Sequence, residues 1–195
     1  MTAQQSSSVT RAHEEVTVRG AMVTSFATRV LAVLRVVTGF VFLWAFLDKT
    51  FGLHYATPSA KAWMHGGSPT KGFLSSVEVG PMSSTFHSMA GDTWVNWLFM
   101  LGLLGIGVAL IAGVALRIAA VAGVAMMALM WLAEFPLAQH TSAGAPSGSV
   151  NPLVDYHVVY AIALIVLAAT YAGNTWGLGK FWARLPFISR HRWTL

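Results

Sequence analysis

The sequence predicts an all-α integral membrane protein: a four-helix bundle with both termini in the cytoplasm and an outer loop able to carry an interfacial helix. Three observations carry that class. Apolar runs long enough for a bilayer recur along the chain. Charged residues make up only 10% of its 195 residues, where soluble domains carry about 25%. The mean hydropathy is +0.62. A helix of about 20 residues rises roughly 30 Å, the thickness of a bilayer's hydrocarbon, and at this length one domain is the natural count.

Residues 1–22 are polar, rich in Ser, Thr, Gln and Glu, and read as a disordered tail. No cleavable signal is expected there, so the first span acts as its own insertion signal. The four-span domain covers residues 23–178, with spans at about 27–48, 96–116, 118–136 and 152–173 and an outer loop at 49–95. A basic, aromatic tail at 179–195 has the composition of an interfacial anchor.

The first span centres on VLAVLRVVTGFVFLWAFLDK, Val30 to Lys49. Arg35 lies inside it, and a guanidinium costs several kcal/mol at mid-bilayer unless it snorkels or finds a partner. Arg35 is therefore either a snorkelling side chain or a working group. The second run, Leu98 to Leu116, is uncharged, with Gly105, Ala109 and Gly113 four apart, which offers one face for a close helix neighbour. Arg117 then marks a tight interfacial turn before Ile118–Ala133, although no Pro or Asn fixes its position. After HTSAGAPSGSVNP, Asn151 is placed to cap the fourth helix, with Pro152 in its first position.

Basic residues orient the bundle. Arg11, Arg19, Arg29, Arg117, Lys180, Arg184, Arg190 and Arg192 fall on one side, against Lys49, Lys61 and Lys71 on the other. The positive-inside rule puts the richer side in the cytoplasm. The net charge of +5 is then addressed to anionic lipid headgroups. No basic-aromatic stripe lies outside the membrane flanks, which argues against nucleic acid.

The absence of cysteine excludes disulfides, thiol catalysis, covalent c-type haem and thiolate-held iron–sulfur clusters. Any redox chemistry would use a non-covalent carrier or a cofactor on another subunit. His157 is the only histidine inside a span, so a haem held by two histidines lacks its second ligand. His54, His65, His87 and His140 have no metal-ligand spacing, and no metal site is expected.

The candidate site gathers at the outer helix ends: Asp48, Glu134, Asp155 and His157. Trp44 and Asp48 are four apart and Trp131 and Glu134 three apart, so each pair shares a helix face. Asp155 and His157, two apart, are expected to point in different directions. A plainer reading stands beside this one, because acids at a water boundary cost little. Asp155 in a first helical turn also suits the helix dipole, and tryptophans belong at interfaces. In the outer loop, GGSPTKGFL (Gly66–Leu74) gives a sharp bend, and Phe73–Met89 is mildly amphipathic, as an interfacial helix would be. The phosphate-loop pattern is absent.

These pieces, taken in order, resemble the DoxX family of small bacterial membrane proteins, related to the DoxD subunit of thiosulfate:quinone oxidoreductase. The resemblance rests on LRVVTGFVFLWAFLDKTFGL (Leu34–Leu53), GGSPTKGF (Gly66–Phe73), GVALRIAA (Gly113–Ala120), MMALMWLAEFP (Met126–Pro136), NPLVDYHVVYAIAL (Asn151–Leu164) and AGNTWGLGKFW (Ala172–Trp182). It implies a four-helix protein of the bacterial plasma membrane, associated with redox enzymes and a partner subunit, that exchanges electrons with quinone. On that reading Asp48, Glu134 or Asp155 relays protons and His157 hydrogen-bonds a quinone carbonyl. Trp44 and Trp131 wall the slot, with Arg35 and Lys49 as charge partners. Two alternatives remain: a non-catalytic accessory subunit of a respiratory or other membrane redox complex, and a small proton-coupled transporter.

Overall fold

The computed structural model describes residues 24–191. The expected disordered tail and the last basic residue of the C-terminal anchor, Arg192, lie outside the described residues. Within them the chain is helical, with one isolated bridge between His140 and Pro146 and no strand.

Helix α1 (Ser25–Phe51) begins where the Thr24 side chain accepts from the Ala27 N–H and ends at Gly52 in a left-handed cap. Two 3₁₀ turns (Ser59–Lys61 and Trp63–His65) lead to the short helices α2 (Lys71–Ser75) and α3 (Ser83–Met89). Helices α4 (Thr93–Ala112) and α5 (Leu116–Glu134) follow, then α6 (Tyr156–Ala169), a 3₁₀ turn at Ala172–Asn174, α7 (Gly179–Trp182) and α8 (Pro186–Arg190).

The loop before α4 folds differently from the single interfacial helix expected there. Leu74, Val77 and Phe86 pack with Val95 and Ala133 into a small core of their own, so α2 and α3 sit on protein. Asn96, buried in the first turn of α4, fastens this cap. Its Oδ1 accepts from Ser68 Oγ at 3.0 Å, Thr70 Oγ1 at 2.7 Å and the Thr70 N–H at 3.1 Å.

The turn between α4 and α5 is set by Gly113, which takes a left-handed conformation (φ 74°) and ends the helix several residues before the expected Leu116. Arg117 accordingly stands in the first turn of α5, where it donates to the Tyr171 hydroxyl at 2.7 Å.

Helix α1 packs on α4, α5 on α6, and the contacts α4–α5 and α1–α6 join the pairs. The first pair is antiparallel and close: a Cβ on Gly39 would lie 2.8 Å from Leu110 Cβ, and one on Gly107 would lie 2.7 Å from the Leu43 nitrogen. These are the glycines that let backbones approach. The expected stripe of Gly105, Ala109 and Gly113 does not form one such face: Gly105 faces open space, and Gly113, the helix cap, meets the backbone of Gly173 instead of that of a neighbouring helix. Phe42, Met100, Leu103, Ile106, Leu164 and Leu167 fill the centre.

The outward faces are as apolar as the core. Val33, Val37 and Phe40 on α1, Leu98 and Leu101 on α4, Val121 on α5 and Ile162 on α6 are all exposed. A helix that is apolar all round requires an apolar surrounding. Three helices, α1, α4 and α5, are long and apolar enough to cross a membrane. Helix α6 has 14 residues and rises only about 21 Å. It starts at Tyr156 rather than Pro152 because Asn151 closes an earlier turn, its Oδ1 accepting from the Leu153 and Val154 N–H groups.

Candidate functional site

The sequence-predicted residues separate into two ends of the molecule. Arg35 is fully buried and reaches neither water nor a carboxylate. Its Nη1 donates to the carbonyls of Leu110 and Ile111, the latter at 2.7 Å, and its Nη2 to Trp176 O at 2.9 Å and Thr175 O at 3.4 Å. The last four carbonyls of a helix lack intrahelical partners and carry its negative dipole end. Here all four of α4 are satisfied. Ala109 O accepts from the Gly113 and Val114 N–H groups, Leu110 O and Ile111 O from Arg35, and Ala112 O from the Leu178 N–H at 2.8 Å. Arg35 is thus a clamp joining α1, the end of α4 and the segment after α6. The snorkelling reading is overturned. The quinone-slot reading is also lost, because Arg35 lies thirteen residues before Asp48 on one helix, about 20 Å away.

At the opposite end, Asp48 is buried and committed to the backbone, accepting from the N–H groups of Tyr55 at 3.3 Å and Ala56 at 3.0 Å. Trp44, on the same face, packs against Phe40 and edge-on to Tyr55. The two residues shape the chain as it leaves α1. Among the described residues, no hydrogen bond of Asp48 reaches Glu134, Asp155 or His157. The ammonium of Lys49 lies 6.0 Å from the Phe99 ring centroid, on the side of α4.

Glu134, Asp155 and His157 do come together. Asp155 stands just before α6 in extended conformation and caps it: Oδ1 accepts from the N–H groups of His157 at 3.0 Å and Val158 at 3.2 Å, and Oδ2 lies 2.8 Å from His157 Nδ1. The expectation that residues two apart diverge holds inside a helix; a capping residue is outside it and folds back. Burial alone would raise the Asp155 carboxyl, but the hydrogen bonds from the His157 ring and the two backbone N–H groups outweigh it. Its pKa is held below the ordinary value.

His157 is sealed from solvent. Its Nδ1 also lies 4.0 Å from Glu134 Oε2, while Glu134 Oε1 accepts from the Tyr156 hydroxyl at 2.7 Å. Tyr156, whose ring lies against the imidazole, escaped sequence reasoning. Its only sequence signal is its place between Asp155 and His157. Nδ1 faces the Asp155 carboxylate, so in the neutral ring the lone pair falls on Nε2, a buried atom with no hydrogen-bond partner. Trp131 Nε1, on the α5 turn before Glu134, is likewise buried and unpartnered.

The carboxylates open onto a chamber of about 430 Å³ bordered by Glu78, Glu134, Ser147, Ser149, Asp155 and Tyr156. Its far wall is the loop between α5 and α6, folded by Ser147 Oγ donating to Ala138 O and Ser149 Oγ to Pro136 O. One donor atom each from Glu134, Asp155 and His157 lies within 4.8 Å of the others, a spacing a cation could bridge. The histidine spacings alone gave no sign of it, because the three ligand atoms come from a helix end, a cap and a first turn. No protein family, curated protein or solved structure matches the chain.

Proposed function

We propose that this chain is a DoxX-like four-span protein of the bacterial plasma membrane, with both termini cytoplasmic. It works beside a partner redox subunit and exchanges protons with a quinone at its outer mouth. The orientation follows from charge: Arg29, Arg117, Lys180, Arg184 and Arg190 belong to the Arg35 end, and Lys49, Lys61 and Lys71 to the acid end.

One observation carries the functional reading. A sealed imidazole with a free Nε2 is oriented by Asp155 and lies beside Glu134 and Tyr156, whose polar groups border an open chamber. Buried polar atoms ordinarily have partners; beside Arg35 Nε at the clamp, Nε2 and Trp131 Nε1 at the acid end mark unfilled hydrogen-bonding capacity. By donor and acceptor type alone, the lone pair of Nε2 suits a quinol hydroxyl proton and the Trp131 N–H suits a quinone carbonyl oxygen. When bound, the quinone supplies a two-electron, two-proton couple, with electrons passing to or from the partner subunit. His157 takes a proton at Nε2, and Asp155 stabilises the resulting imidazolium. Asp155 Oδ2, 2.8 Å from Nδ1 and on the chamber wall, takes the Nδ1 proton, with the Glu134 carboxylate held beside it by Tyr156.

The test is detergent-purified protein assayed for extractable quinone, together with the quinone-linked rate of membranes carrying His157→Ala. Bound quinone and a rate reduced at least tenfold are expected. Quinone-free protein and an unchanged rate would overturn the reading.

A further inference from the structure

A second cavity, independent of the acid cluster, runs along α4 and α5 beneath α2 and α3. It is an apolar groove of about 420 Å³ whose lining includes Leu98, Phe99, Ala122, Ala125 and Leu129. From Ala133 to Ala122 it follows twelve residues of α5, eleven rises or about 17 Å. That is close to half of a 30 Å hydrocarbon core, the depth of one leaflet. Leu98, Ala122, Ala125 and Leu129 on its lining are exposed, so the groove opens sideways to the bilayer and suits a hydrocarbon chain lying along it.

Its mouth carries one charge. Among the described residues, Lys49 is the only ionisable side chain lining the groove, and it has no carboxylate within ion-pairing distance. The nearby Thr70 hydroxyl is already committed to Asn96. An ammonium at the head of an apolar groove is costly until an anion meets it. We infer that the groove holds one acyl chain of an anionic phospholipid from the surrounding bilayer, with the lipid phosphate on Lys49. The apolar mouth offers no such complement to a zwitterionic headgroup, whose own cation would face Lys49.

The experiment is native mass spectrometry of the full chain released from nanodiscs containing equal dioleoylphosphatidylglycerol and dioleoylphosphatidylcholine. The wild type should retain phosphatidylglycerol at least fivefold over phosphatidylcholine. Lys49→Met should bring the ratio to about one, and Lys49→Arg should restore it. Ala125→Phe, at an exposed position that tolerates bulk, should lower retention of both lipids by obstructing the chain. Equal retention by the wild type, or a preference unchanged in Lys49→Met, would overturn the inference. So would a quinone that displaces phosphatidylglycerol in a Lys49-dependent way, which would make the groove a quinone slot. His157→Ala should leave lipid retention unchanged, so the failure of the quinone reading is distinguishable from the failure of this one.

Discussion

Arg35 and His157 are both polar groups sealed inside an apolar molecule, each with one nitrogen left without a partner, and they are held in opposite ways. Arg35 turns Nη1 and Nη2 onto four backbone carbonyls at the end of α4 and in the segment after α6. The macrodipole of α4 supplies negative potential there, and the guanidinium completes the partners of the helix end. His157 is held on one ring nitrogen, with carboxylates at 2.8 and 4.0 Å, and keeps the other without a partner. The contrast separates structure from chemistry. A cation ringed by fixed carbonyls holds pieces together, whereas an oriented imidazole with one free nitrogen can take up and release a proton.

The largest expected effect falls on the clamp. Arg35→Ala leaves several carbonyls without donors and a cavity at the junction of three segments. Removing so many buried partners should cost about 3–5 kcal/mol. Thermal unfolding in detergent measures it, and a loss below about 1 kcal/mol would mean that Arg35 is not a clamp. Second is the close approach of α1 and α4. Gly107→Leu places side-chain atoms where a Cβ alone would already be 2.7 Å from the Leu43 nitrogen, and overpacking of this kind costs about 1–3 kcal/mol. Gly105→Leu, facing open space, should be nearly neutral in the same assay.

At the acid end the effects on stability are smaller and the effects on protons larger. Asp155→Ala removes the cap of α6, worth about 1 kcal/mol, and releases the imidazole. Because the folded pKa of Asp155 lies below its ordinary 3.8, the carboxylate contributes stability that is present above that value. That contribution is lost as pH falls through the lower, folded pKa. Acid unfolding curves of the wild type and Asp155→Ala should therefore converge at low pH and separate above about pH 4. A constant separation would show that Asp155 is merely a neutral cap. The smallest effect is expected for Trp131→Phe, which removes a buried N–H without a partner and should leave stability unchanged or raise it by about 1 kcal/mol. A marked loss would mean that the N–H already has an occupant.

The apolar helices were legible in the sequence because hydropathy and length respond to the surrounding solvent alone. Their ends were less legible. Gly113 stops α4 early, and Asn151 and Asp155 share the work that was expected of Asn151, because each cap depends on which side chain reaches which N–H. The site was legible residue by residue but not in its grouping. Glu134, Asp155 and His157 meet because Asp155 precedes a helix instead of belonging to it, which periodicity does not express. Asp48 looked equivalent on spacing but is held by the backbone of Tyr55 and Ala56. The partners of Arg35 are carbonyls, which every residue carries, so no pattern of side chains could announce them.

Proton exchange between His157 and a quinone at the acid end is the proposal on which the functional reading stands or falls. The most direct measurement is the infrared difference spectrum of quinone-loaded protein, oxidised minus reduced, in the wild type and in His157→Gln. Imidazole ring bands that accompany quinone reduction and vanish in the variant are the result expected. A difference spectrum with no imidazole contribution, or one identical in the two proteins, would contradict it.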